Sequence, residues 1–134
     1  MTIAKAFIDW LQAEGVATFG QDLYLRRVPD SKETQASVYW IIPNGGFPLG
    51  RNRTGEMIKQ YSFLINYRSK KAEDVETKLF ELEEKINCQG CLQLEGFQVL
   101  DVEVSSFPDD SDTDAEDRET GFLQVNIKTY KQRC

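Results

Sequence analysis

The chain has 134 residues, 40% of them hydrophobic and 28% charged, with a net charge of −6. That composition fits one soluble globular domain able to bury about two-thirds of its unfolded surface, and no apolar run reaches the roughly 20 residues of a membrane span. The charge is local: residues 109–119 hold seven carboxylates and one base, leaving 15 acids and 15 bases elsewhere, so there is no basic stripe to displace counterions from nucleic acid.

In chain order, Ile3, Phe7, Trp10 and Leu11 form a helical stripe that Gly15 is placed to end. The opening residues mix carboxylates with apolar side chains, unlike a secretory signal or transit peptide, so the protein is expected to stay in the compartment where it is made. Residues 22–28 read as a short strand stopped by Pro29, followed by a polar turn over 30–35. Residues 37–42 are nearly all apolar, which predicts a strand that is central or covered on both sides. Residues 43–55 hold four glycines and two prolines, a composition that predicts an exposed, mobile loop.

The most legible stretch follows. Met57, Tyr61, Phe63, Ile65 and Tyr67 alternate with mostly polar neighbours, the period of a strand with one buried face. Beyond Arg68 the period changes. Ala72, Val75, Leu79, Leu82 and Ile86 recur every three or four residues on one helical face, with Ser69 placed as cap, Glu73, Asp74 and Glu76 in the early turns, and Gly90 as stop. Two more alternating strands are expected, over 97–105 with Leu100, Val102 and Val104 inward, and over 122–130 with Leu123, Val125 and Ile127 inward. The acidic residues between them read as a solvated loop. The predicted fold is α+β, in the order α-β-β-β-α-β-β: a mostly antiparallel sheet of about five strands, linked largely as hairpins, with two helices packed on it.

Motifs for chemistry are weak. Residues 45–52 approach a phosphate-cradling loop, but Arg51 stands where a lysine is needed and Asn52 where a hydroxyl must hold magnesium, and a strand follows in place of a helix. Cys88 and Cys91 have the spacing of half a zinc site. With no histidine and only Cys134 as a further thiol, four ligands cannot be assembled. A redox pair would sit at a helix start, whereas this pair follows a helix end, so reduced thiols, structural or incidental, are expected. Residues 110–121 open like a calcium loop, yet Ala115 replaces the required glycine and Gly121 the bidentate glutamate. The absence of histidine also removes the commonest general base. Asp101 and Glu103 read as the outer face of a sheet, and no enzyme chemistry, metal or cofactor is nominated.

Two surface features remain as candidate partner sites. One is the glycine-rich loop with Phe47, Arg51 and Arg53, an aromatic and arginine composition enriched at protein interfaces. The other is the acidic loop with Asp109, Asp110, Asp112, Asp114, Glu116, Asp117 and Glu119.

Residues 61–87 (YSFLINYRSKKAEDVETKLFELEEKIN) resemble the strand–Arg-Ser-Lys–helix core of small phage minor capsid or tail terminator (tail completion) proteins. Residues 96–110 and 121–130 resemble that family's next strand and loop and its closing strand; the acidic insertion and the Cys88/Cys91 pair depart from it. The resemblance implies a non-enzymatic virion component built during assembly in the bacterial cytoplasm. It would form a ring of copies, typically a hexamer, that caps the tail tube protein and docks to the head connector protein, with no membrane and no sequence-specific nucleic acid as partner. Another small α+β protein-binding module or phage assembly factor is the alternative, and a carboxylate-based enzyme a third.

Overall fold

A computed structural model describes residues 2–29, 37–51, 57–87, 92–106, 112–113 and 119–131. The elements are helix α1 (Ile3–Ala13), strands β1 (Leu23–Leu25), β2 (Val38–Arg51) and β3 (Met57–Ser69), helix α2 (Ala72–Asn87), and strands β4 (Phe97–Ser106), β5 (Asp112–Thr113) and β6 (Glu119–Lys131). They form an α+β fold around one six-stranded sheet ordered β1-β2-β3-β6-β4, with β5 added alongside β6.

Helix α1 forms where its stripe predicts. The Thr2 hydroxyl accepts from the Lys5 N–H at 3.2 Å, satisfying one of the donors a helix leaves bare at its start. Its inner face buries Phe7, which stacks on Phe63 of β3 at 5.0 Å between ring centroids. Helix α2 buries Val75, Leu79, Leu82 and Ile86. Ser69 is not its cap. It is the last residue of β3, and its hydroxyl accepts from the Lys71 N–H at 3.4 Å, fixing the turn just before the helix.

Both helices lie against the odd-numbered face of the central strands. Phe63 and Ile65 of β3, and Leu123, Val125 and Ile127 of β6, are at most 1% exposed, as their alternation predicts. At Gly121 of β6, a Cβ would come within 2.8 Å of both Leu79 and Val75, so the missing side chain lets α2 approach the sheet. On the opposite face Trp40, Ile42, Leu64 and Phe122 are half-buried and lie outside the helix-side core. There the Arg68 guanidinium sits over the Trp40 ring, 5.8 Å from its centroid. Residues 37–42 are therefore flanked by a strand on each side but are not covered on both faces.

Three expectations fail for identifiable reasons. First, residues 43–51 are not a loop: β2 continues to Arg51, pairing with β3 through Gly46↔Tyr61, Phe47↔Gln60, Pro48↔Lys59 and Arg51↔Met57. Register shifts at Pro43/Gly46 and Pro48/Gly50 absorb the irregular residues, with Gly45 and Gly50 at positive φ. Past β1 this part of β2 has β3 as its one sheet neighbour among the described residues, and an edge with bulges tolerates proline. Second, β1 runs parallel to β2 and is not its hairpin partner. It ends at Leu25; the φ of 75° at the next residue, Arg26, turns the chain away while the Arg26 N–H bonds the Ile41 carbonyl at 2.7 Å, and parallel neighbours need a longer connection than a hairpin. Third, a shift between Val99 and Asp101 breaks the alternation of β4, so Val99, Val102 and Val104 pack on the core while Leu100 is 47% exposed.

Candidate functional site

Phe47 and Arg51 lie in β2, opposite Gln60 and Met57 of β3. They belong to the sheet rather than to a separate loop: Gln60 also pairs with Lys128 of β6, so β3 is flanked on both sides at Phe47, and Arg51 lies where β2 and β3 run on past β6. Arg53 lies outside the described residues. A Cβ on Gly46 would meet the Tyr61 ring at 2.6 Å, so the ring lies across the glycine and holds this end of the hairpin together. Around it Pro48, Leu49 and Lys59 are exposed, Leu49 at 47%, and Met57 and Ile58 are half-buried.

The acidic stretch is not a simple loop. Asp112 lies in β5, opposite Thr120, and Glu119 opens β6, opposite both Ser69 of β3 and Thr113 of β5. Asp109, Asp110, Asp114, Glu116 and Asp117 lie outside the described residues, as do Cys88, Gly90, Cys91 and Cys134. The hairpin and the acidic strand start are at opposite ends of β3, because Met57 pairs with Arg51 and Ser69 with Glu119. At about 3.4 Å per residue, the 13 residues of β3 separate them by roughly 40 Å, so the two candidate sites are not one site.

A part-buried polar cluster ties β2, β3 and α2 together. Tyr39 and Tyr67 pack with ring centroids 4.4 Å apart, and the Tyr67 hydroxyl donates to the Asp74 carboxylate at 2.8 Å. Burial raises both phenols above their ordinary value, and the hydrogen bond from Tyr67 lowers Asp74. The phenols therefore stay neutral and the carboxylate stays charged at neutral pH, which suits a structural clamp. Beside it, Val16, Tyr39, Lys78 and Leu82 line a hollow of about 120 Å³, below the roughly 300 Å³ of a small ligand pocket. No cluster of three metal-ligating side chains occurs among the described residues.

Sequence reasoning missed the sheet edges. One edge is β1, continued by the outer side of β2 from Pro43 to Arg51; the other is β4, continued along β6 by β5. The signal present was the two-residue spacing of Phe47, Leu49 and Arg51, hidden by intervening proline and glycine.

No protein-family model matches the sequence, and no curated protein matches it. Among solved structures, the fold is similar to a chain in the virion of a native gene transfer agent (GTA) particle, with a TM-score of 0.54 and 10% identity. The match covers 96% of this chain and 98% of that one. At that identity the likeness is one of fold.

Proposed function

We propose that this chain is a structural, non-enzymatic protein of a phage-like virion, and within it a tail terminator. In this reading it forms an oligomeric ring, a hexamer in the assembled particle, that caps the tail tube and joins the tail to the head connector. The observation that carries the reading is the end-to-end fold likeness to a virion chain, over 96% of this chain. The resemblance of residues 61–87 to tail terminator proteins narrows it further.

The physical features suit the role. Ring subunits need surfaces for neighbours, and the sheet offers two edges and a half-buried face. Phe47, Arg51 and Arg53 would contact the tail tube or the connector from the β2–β3 end. Residues 109–119, carrying −6 per copy, would line the duct and repel DNA phosphate. The test is electron microscopy of particles made without the protein. Tails of uncontrolled length that fail to join heads are the expected result; normal tails on heads would overturn the reading.

A further inference from the structure

The two edges of the sheet differ in charge. Along the first, Arg26 and Arg27 are exposed where β1 ends, and Leu49 is 47% exposed farther on. No carboxylate occurs in residues 23–29 or 38–51. Asp22, just before β1, is turned to the Thr18 N–H, its Oδ1 accepting at 2.6 Å. The second edge is the reverse. Strand β4 carries Asp101 and Glu103, both exposed, and no base; Leu100 beside them is 47% exposed. Lys128 of β6 lies 3.9 Å from the Asp101 carboxylate, a partly exposed pair that offsets little of the charge of Asp101 and Glu103.

From this we infer that the basic β1/β2 edge of one copy docks on the acidic β4 edge of a second copy, as the head-to-tail contact of the assembly. The inference rests on the ring reading and adds the surfaces that make the ring. Like edges repel, so a symmetric two-fold contact is disfavoured, whereas unlike edges attract in a repeat that closes on itself. Each edge brings one half-exposed leucine to the contact. Pro43, Pro48 and the bulges in β2 and β4 prevent a continuous hydrogen-bonded ladder, which protects both edges from indiscriminate strand pairing. Partner choice then falls to charge.

Edge charge reversal tests this directly on the full chain. One variant carries Arg26→Asp and Arg27→Glu, aspartate being chosen at position 26 because it tolerates positive φ. The other carries Asp101→Lys and Glu103→Lys. Sedimentation velocity at low salt should show each variant alone self-associating at least about tenfold more weakly than wild type, and an equimolar mixture of the two associating again. Matched circular dichroism melts check folding. If reversal unfolds a variant, the neutral set Arg26→Asn, Arg27→Gln, Asp101→Asn and Glu103→Gln should still weaken association. If both variants associate like wild type, the edge assignment is wrong while the ring reading stands. If wild type and the mixture both stay monomeric at every concentration, the edges are not a self-contact, and the ring reading is judged separately on particles lacking the protein.

Discussion

Adding a single methyl group at Gly121 should loosen the joint between α2 and the sheet. An ideal Cβ there lies 2.8 Å from Leu79 Cδ1 and 2.8 Å from Val75 Cγ1, against the 3.5–4.0 Å or so of a comfortable carbon–carbon contact. Leu79 can swing its terminal methyl aside. Val75 cannot, because a branched side chain in a helix has essentially one χ1 rotamer, and at 3% exposure it has no free space. Relief therefore requires α2 to shift, at an overpacking cost of about 1–3 kcal/mol. Gly121 lies in an extended strand, so alanine also reduces unfolded-state freedom, which offsets about 0.4–1 kcal/mol. With mid-range values of about 2 and about 0.7 kcal/mol, the net loss for Gly121→Ala is about 1.3 kcal/mol, a fall in Tm of roughly 4–6 °C for a domain of this size. Thermal melts by circular dichroism measure it. Repeating the substitution in a Val75→Ala background removes Cγ1, and the penalty should shrink by at least about 0.5 kcal/mol. A Tm within about 1 °C of wild type for Gly121→Ala, or a penalty unchanged by Val75→Ala, would refute the close-approach argument.

Asp74 makes stability depend on acid. Its pKa is lowered, first by the hydrogen bond from Tyr67, so its contribution is present above the ordinary carboxylate value of 3.8 and is lost as pH falls through the depressed one. Asp74→Asn should therefore melt below wild type at neutral pH, with the gap closing on acidification; a gap that is constant with pH would contradict this. Replacing Phe47, Arg51 and Arg53 together by alanine should leave the melt within a few degrees of wild type and weaken assembly measured by sedimentation. Collapse of the fold in that variant would place these residues in the core.

The parts of the fold that could be read in advance are those where one periodicity runs unbroken. Helix α1, strands β3 and β6, and helix α2 each place their apolar residues at constant spacing and bury most of those that spacing selects, while Met57 and Tyr61 of β3 are only half-buried. The expectations that failed involve information the local pattern does not contain. Nothing in Leu23, Tyr24 and Leu25 states that their partner strand runs parallel. Leu100 continues the apolar alternation of β4 on paper; the bulge between Val99 and Asp101 that ejects it is set by pairing with β6, a strand more than twenty residues away. Arg53 and most of the acidic candidates lie outside the described residues.

The misread stretches share a position. Residues 43–51 and the middle of β4 lie on opposite margins of the sheet, and both are bulged. A central strand must satisfy two neighbours and one core, which holds it to a strict alternation. An edge strand has one side free, and can carry proline, glycine or an extra residue at little cost. Irregularity along the chain is thus a marker of the sheet's margin. In this protein each margin also exposes a leucine, Leu49 on one and Leu100 on the other, and among the described residues the strands β1 and β2 hold no carboxylate while β4 holds no base. A chain whose only need was to avoid aggregation would do as well with the same charge on both edges, since like edges then repel. Opposite signs abolish that protection between unlike edges and keep it between like ones, which is the arrangement a directional, repeating contact requires.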